Sequence, residues 1–253
     1  MVHPSKQDEE IPKFPAEKPI VTERRAPLRI NLGCGLITPP GWVHLDASFN
    51  AKLAKHPLLR RSLHKLRLLP EDKIAVPWNP TVLIHDVRKP LPFPSDSAGC
   101  IYSSHLLEHL YLDEAKRLLS ECLRVLAKGG ILRIVVPDLR SIIQEYLGGR
   151  PFGEIPAGMQ NDPPADRVNR RLLLRAPVAP HGGILYRIYT TWKDFHSHKW
   201  MYDAESLAFH FESAGFCDVQ PMGLHESRIA GIEAVEDVSR IIKGEGISIE
   251  GTK

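Results

Sequence analysis

Apolar positions along this chain follow two rhythms. Short runs bounded by turn residues read as buried strands: Arg29–Leu32, Trp42–Asp46, Thr81–His85 running into Asp86, Gly99–Ser103, and Ile131–Val136, stopped by Pro137-Asp138. Helical spacing takes over between and after them. From Asp113 to Lys128, Ala115, Leu118, Leu119, Cys122, Leu123 and Leu126 form one apolar stripe, with Asp113 as cap and Gly129-Gly130 as stop. Ser141–Leu147 reads as a short helix, and Ala204–Ala214 as another that ends at Gly215. A strand at Phe216–Pro221 and an alternating one at Gly246–Lys253 close the chain. Strands alternating with helices and ending in a strand pair predict an α/β fold: a doubly wound, mainly parallel seven-stranded sheet with an antiparallel C-terminal strand.

Three segments break these rhythms. Residues 1–27 hold five prolines and many charges of both signs, and read as a flexible, proline-rich N-terminal arm. Residues 28–253 then form one domain with insertions at about 49–80 and 148–200. In the first insertion Leu59, Leu63 and Leu66 recur at helical spacing, and seven Lys or Arg stand against two acids between Lys52 and Lys73. Residues 52–69 therefore read as a basic amphipathic helix, able to meet a membrane surface or an anionic substrate; a solvated capping helix gives the same pattern. The second insertion is rich in Gly, Pro, Arg and aromatic residues with little periodicity, and reads as a substrate lid.

Composition narrows the class. A chain of 253 residues is long enough for one large core, and 43% hydrophobic with 25% charged residues is ordinary for a globular protein. A net charge of +3, with no added RNA-binding module or aromatic-interleaved basic surface, argues against a nucleic-acid partner. No apolar run approaches the ~20 residues that cross a bilayer, and the polar N-terminus does not read as a secretory signal. Cys34, Cys100, Cys122 and Cys217 are scattered without a CxxC. They read as free thiols in a reducing compartment, so the expected location is cytoplasmic, with membrane contact only peripheral and through the basic helix. Nothing in the pattern reports the oligomeric state.

The chemistry starts where the first strand runs into Gly33-Cys34-Gly35. Neither glycine has a Cβ to hold a ligand away from the backbone. The next strand ends in an acid, Asp46, and a glycine loop, a strand and a terminal acid are the layout of a nucleotide-type pocket at the carboxyl edge of a parallel sheet. A dinucleotide site asks for a third glycine three positions on and a helix facing the pyrophosphate. Here that position is Thr38, and Pro39-Pro40-Gly41 leaves no room for a regular helix. Asp46 follows Gly33 by 13 residues, against about 20 in the dinucleotide pattern. A nicotinamide oxidoreductase is thereby disfavoured. A ligand with a ribose but no phosphate fits better, and S-adenosylmethionine is such a ligand.

The ordered motifs carry a resemblance. Asn31-Leu32-Gly33-Cys34-Gly35, Gly41-Trp42-Val43-His44-Leu45-Asp46, His85-Asp86-Val87-Arg88-Lys89-Pro90-Leu91-Pro92-Phe93, Tyr102-Ser103-Ser104-His105-Leu106-Leu107-Glu108-His109, Gly129-Gly130 through Pro137-Asp138, and His198-Lys199-Trp200-Met201-Tyr202-Asp203 appear in sequence. Together they resemble the class I S-adenosylmethionine-dependent methyltransferases, and more narrowly a bacterial branch found among cell-envelope sugar and polysaccharide genes. The resemblance implies a Rossmann-like sheet and S-adenosyl-L-methionine as cofactor. It implies that Asn31, Gly33, Cys34 and Gly35 pass under the methionine part, and that Asp46 accepts from both ribose hydroxyls. It further implies that Asp86 and the Val87 backbone meet the adenine, and that Ser103, Ser104 and His105 line the sulfonium end. His44 and His85 read as structural.

Alignment of nucleophile, methyl and sulfur dominates such a reaction, and a hydroxyl acceptor also needs a base. His105 is the first candidate, His198 the second and Asp138 the third. No Asp/Asn/Ser-Pro-Pro-aromatic element follows the fourth strand, which argues against methylation of nucleobase amines. Arg60, Arg61, Arg167, Arg170, Arg171, Arg187, Tyr186, Tyr189 and Trp192 in the insertions suit a glycan or anionic small-molecule acceptor. The expectation is O-methylation of such an acceptor; a non-catalytic cofactor-binding or scaffold domain is the alternative. His105-Leu106-Leu107-Glu108-His109 also fits H-x-x-E-H, but it follows a strand instead of lying on a long helix, and His196 and His198 lack a companion cluster. No metal is expected; Glu108 and His109 are expected to shape the pocket floor.

Overall fold

The computed structural model describes residues 26–65, 78–148, 162–174, 197–238 and 246–253. The N-terminal arm to residue 25, the end of the expected basic helix at 66–69, and most of the expected lid, including Arg187, Tyr186, Tyr189, Trp192 and His196, lie outside the described residues. Seven strands form one sheet: β1 (Leu28–Leu32), β2 (Val43–Asp46), β3 (Leu83–Ile84), β4 (Ala98–Ser104), β5 (Leu126–Pro137), β6 (Cys217–Met222) and β7 (Gly246–Thr252). Their spatial order is β3-β2-β1-β4-β5-β7-β6. β1 pairs in parallel with β2 and β4, β2 with β3, and β4 with β5, while β7 runs antiparallel between β5 and β6. This is the doubly wound, Rossmann-like sheet that the sequence predicts. Strand order reverses between β1 and β4, and in such sheets ligands bind in the crevice outside the carboxyl ends at that reversal.

The described α-helices are α1 (Phe49–Ala54), α2 (Pro57–Lys65), α3 (Leu112–Val125), α4 (Leu139–Gly148), α5 (Pro164–Leu172) and α6 (Ala204–Ala214). Period-two alternation sends Ile101, Leu132, Ile134 and Val136 to one face of the sheet, where Leu118 and Leu119 of α3 and Leu207 and Phe211 of α6 cover them. Cys100, Tyr102 and Val135 face the other way, onto Trp42, Ile229, Ile232 and Val235. Both faces are thus buried, as parallel strands require.

Several boundaries differ from the sequence reading. The stretch read as one helix from Lys52 to Leu69 breaks between α1 and α2. Pro57 has no N–H to continue the helical ladder and turns His56 away from helical geometry, yet serves well as a first helical residue. α1 begins as early as Phe49 because Ser48 Oγ accepts the Ala51 N–H at 3.2 Å. The helix read to Lys128 ends at Val125, because the chain entering β4 takes its last carbonyls: Asp96 N–H donates to Arg124 O (3.1 Å) and Ser97 N–H to Val125 O (2.9 Å). Leu126 already pairs beside Ala98, so strand β5 starts before Gly129-Gly130 and not after it. Asp113 does not cap α3; it pairs with Arg117, while Glu114 accepts the Tyr111 N–H at 3.0 Å. β3 is shorter than expected because Asn79 Oδ1 draws the Thr81 N–H (2.9 Å) and hydroxyl (2.8 Å) into a turn.

Within the apolar run of β5 sits Arg133, which is fully buried. Its five donors are all used. Nε and Nη2 donate to Glu236 (2.7 and 2.9 Å), Nη1 to Glu250 (3.1 Å) and the Glu226 carbonyl (2.9 Å), and Nη2 also to the Gly223 carbonyl (2.9 Å). Glu250 lies opposite Arg133 in the β5–β7 ladder, so the cluster ties the antiparallel strands to the parallel sheet. Arg133→Leu would leave the buried Glu236 carboxylate without its cation, while Glu250 keeps Arg228 (3.1 Å). Urea unfolding should show it less stable by about 3–5 kcal/mol, and Arg133→Lys should recover little, because a lysine lacks the planar fork.

Candidate cofactor cradle and adjoining acceptor site

The parallel strands deliver the candidate residues to one edge of the sheet, in the spatial order β3, β2, β1, β4, β5. At the exit of β1 the chain makes a tight turn. Gly33 and Gly35 have φ of +64° and +54°, a region that side chains strain to enter. Cys34 N–H donates to Leu45 O (3.1 Å), and Ile37 N–H closes back on Cys34 O (3.1 Å). Leu106 packs on Gly33 so closely that a Cβ there would stand 3.2 Å from its methyl carbons. No helix follows the loop, as the prolines predict. Burial, and then the charge of Asp46, push the Cys34 thiol up to about 12, so it stays protonated.

Asn31 and His44 brace this loop. Asn31 Nδ2 donates to Ile37 O (3.1 Å) and lies 3.4 Å from His44 Nδ1, while His44 Nε2 lies 2.9 Å from Pro39 O. A carbonyl only accepts, so Nε2 carries the proton and Nδ1 accepts from Asn31. Asn31, expected to meet the cofactor, has its amide nitrogen committed to the loop, and His44 plays the structural part expected of it.

Asp46, at the end of β2, is buried. Oδ2 accepts the Gly35 N–H (3.1 Å) and Oδ1 the Ser48 N–H (2.7 Å). Each oxygen keeps a lone pair, so the carboxylate both locks the glycine loop and retains acceptors for a pair of hydroxyls. Asp86, beyond β3, is gripped by Arg88: Nε on Oδ1 (2.9 Å), Nη2 on Oδ2 (2.6 Å) and the Arg88 N–H on Oδ1 (3.1 Å). That guanidinium holds the Asp86 carboxyl below its usual range, leaving it ionised at neutral pH with one lone pair on Oδ2. Val87 beside it is buried. The sequence reading missed Arg88 as the residue that charges this position.

At the exit of β4, Ser103 Oγ donates to Leu32 O (3.3 Å) and so joins the two strands of the reversal. Ser104 Oγ and His85 Nε2 are buried without a hydrogen bond. His105 follows with φ of +50°, a left-handed conformation uncommon outside glycine and concentrated at functional sites. Its N–H donates to Val135 O (2.9 Å) and its Nδ1 lies 3.4 Å from Glu108 Oε1. Glu108 is fully buried, inside a 3₁₀ turn at Leu107–His109. His198 lies at the same carboxylate: its Nε2 is 4.0 Å from Oε1, and burial lowers its pKa. Asp138, at the end of β5, caps α4, with Oδ1 on the Arg140 N–H (3.0 Å) and Oδ2 on Ser141 Oγ (2.5 Å) and N–H (3.3 Å). The sequence reading ranked His105, His198 and Asp138 as alternative bases; in the structure the two histidines meet at Glu108, and Asp138 accepts at the start of α4.

From β3 to β4 is three strand spacings, about 14 Å, with an ionised carboxylate at one end, a bidentate acceptor next, the Gly33–Gly35 turn on which Leu106 packs, and a buried hydroxyl without a hydrogen bond at the other end. That series suits an adenine amine, a ribose diol and an amino-acid tail, and offers no helix terminus to a phosphate.

Residues 58–134, which span β3, β4, α3 and part of β5, match the family described as methyltransferase domain. No curated protein matches the chain. Among solved structures it is similar to an S-adenosylmethionine-dependent methyltransferase of Archaeoglobus fulgidus, with 17% identity, 90% of this chain and 87% of that one covered, and a TM-score of 0.45. A Mesorhizobium loti methyltransferase of the same cofactor gives 19% identity, 90% and 91% coverage and a TM-score of 0.43. One from Thermotoga maritima gives 18% identity, 90% and 83% coverage and a TM-score of 0.42.

Proposed function

We propose that this S-adenosylmethionine-dependent methyltransferase transfers its methyl group to a hydroxyl of a glycan or small-molecule acceptor, with His105 as base. The observation that carries the reading is the alignment of Asp86, Asp46, Gly33–Gly35, Ser104 and His105 along one carboxyl edge across the strand reversal. When bound, the cofactor supplies an electrophilic methyl group on a positively charged sulfur. Asp86 and Val87 would hold its adenine, Asp46 its ribose, the Gly33–Gly35 backbone its amino-acid tail, and Ser104 the end nearest the methyl.

His105 would take the acceptor's proton. Glu108 stands at its Nδ1, which keeps a proton on that nitrogen and leaves Nε2 as the base; a buried carboxylate orients an imidazole in this way. The separation of 3.4 Å is long for a hydrogen bond, as is common before substrate binds. Beside this cluster a shallow hollow of about 510 Å³ is lined by Tyr111, Leu112, Asp113, Lys116, Lys199 and Trp200. Trp200, Tyr111 with the Lys199 ammonium over its ring, Lys116 and the Asp113 carboxylate offer a sugar ring both an aromatic surface and polar partners, in line with the cell-envelope branch that the motifs resemble. Free cysteines, three of them buried, suit a reducing cytoplasm. Among the described residues no helix is long and apolar enough to cross a membrane.

The test is transfer of labelled methyl from S-adenosylmethionine to a panel of anionic glycans, neutral glycans, phenols and amines. The reading expects label in a base-stable ether on a hydroxyl compound. Transfer confined to amines contradicts the hydroxyl assignment, and binding without transfer to any of the panel favours a scaffold. The loop adds a smaller prediction. Gly33→Ala should weaken S-adenosylhomocysteine binding about tenfold in calorimetry, since a left-handed alanine costs about 1–2 kcal/mol and its methyl meets Leu106.

A further inference from the structure

Glu108 faces more than His105. Its Oε1 lies 3.9 Å from His109 Nε2 and 4.0 Å from His198 Nε2, and the ligand atoms of these three residues all lie within 4.8 Å of one another. Glu108 and His198 are buried, and the two imidazoles meet edge to face with centroids 4.9 Å apart. The proton on His109 is fixed from outside the cluster. Its Nδ1 lies 3.2 Å from the Ser197 carbonyl, which can only accept, so Nδ1 carries the hydrogen. In the neutral ring Nε2 then presents a lone pair toward the carboxylate. One carboxylate oxygen and two imidazole nitrogens thus converge at a largely buried point, the donor types that one cation can share.

We propose that Glu108, His109 and His198 bind a first-row divalent metal ion, zinc foremost. Two imidazoles and one carboxylate are a zinc donor set, with a fourth position left for water. Bonds of about 2.0–2.1 Å hold tetrahedral ligands about 3.4 Å apart, so side-chain shifts of under about 1 Å close the site. The Ser197 carbonyl on the far nitrogen of His109 is the outer partner that ligating histidines commonly have. This is not the H-x-x-E-H arrangement that the sequence suggests. That motif would pair His105 with His109 along a helix, whereas here the second imidazole is His198, from the far end of the second insertion. Lys199 and Trp200 N–H groups both donate to the Glu108 carbonyl (2.7 and 3.3 Å), and His198 N–H donates to Leu173 O (2.9 Å). The ion therefore staples the returning insertion to the exit of β4, beside His105.

The test uses the full chain, stripped with a chelator and titrated with Zn²⁺ and with Co²⁺ as a spectroscopic substitute. The proposal expects about one equivalent per chain, with the visible absorption of a four-coordinate cobalt site. His109→Ala and His198→Ala should each weaken uptake by more than the ~10–100-fold that loss of an outer-sphere partner causes, with circular dichroism and S-adenosylhomocysteine binding retained. His210→Ala, a histidine outside the cluster, should bind as wild type does. A wild-type chain that takes up no stoichiometric ion overturns the proposal, and so does uptake by the two variants equal to wild type. Should an alanine variant fail to fold, the glutamine substitution at the same position replaces it under the same criterion. Retained S-adenosylhomocysteine binding separates failure of this site from failure of the cofactor assignment.

Discussion

Asp46→Ala is expected to abolish measurable S-adenosylhomocysteine binding while the protein stays folded. Asp46 acts on both sides of the cradle. Its oxygens take the Gly35 and Ser48 N–H groups, which fixes the glycine turn, and each keeps a lone pair for the proposed contact with a ribose. Hydrogen bonds to a charged group contribute about 1.5–3 kcal/mol each. Loss of two to the ligand, together with a loosened loop, should weaken affinity at least about a hundredfold, or about 2.7 kcal/mol. Asp46→Asn keeps one acceptor oxygen and should fall between. Calorimetric titration reads all three proteins. An alanine variant that binds within about threefold of wild type would remove Asp46 from the ribose role, because that change is under about 0.7 kcal/mol.

His105→Ala should lower kcat by about 10²–10⁴, the range supplied by a positioned base, with affinity for S-adenosylhomocysteine nearly unchanged. Glu108→Gln should leave His105 in place but remove its orienting charge, so a smaller fall in kcat is expected. Unchanged turnover in His105→Ala would assign the proton to another group. Asp138 is a weak candidate for that part, since its carboxylate is occupied at the start of α4.

Local pattern carried most of the sheet. Alternating and buried runs mark strands wherever one face or both are covered, so the strands of the core were legible within a residue or two, apart from the start of β5, which lies five residues before Ile131. α6 was legible to both ends, because Asp203 caps it through the Ser206 N–H and Gly215 leaves it at φ of +102°. The errors have a common cause. Val125 and Arg124 lose their place as mid-helix residues to partners about thirty positions earlier in sequence, and Thr81 loses its strand to a side chain two residues away. Arg133 was invisible as a structural centre because its partners Glu236 and Glu250 arrive from the far end of the chain.

The glycine turn and the strand-end acids were legible as positions because such residues carry their constraint in their own identity. The surroundings of Glu108 were not. H-x-x-E-H reads as a local motif, yet its carboxylate is completed by His198 and by the backbone of Lys199 and Trp200, and no spacing in the sequence shows that meeting. The same limit applies to Asn31 and His44. Each looks like a strand residue with a polar side chain, and only the fold shows the pair holding the Ile37 and Pro39 carbonyls in place.

Paired calorimetric titrations of the wild-type chain with S-adenosylhomocysteine and with NAD test most directly the proposed cradle of Gly33–Gly35, Asp46 and Asp86 for an adenosyl cofactor without phosphate. Saturable one-to-one binding of S-adenosylhomocysteine and no heat from NAD are expected. Absence of S-adenosylhomocysteine binding, or equal binding of NAD, would contradict it.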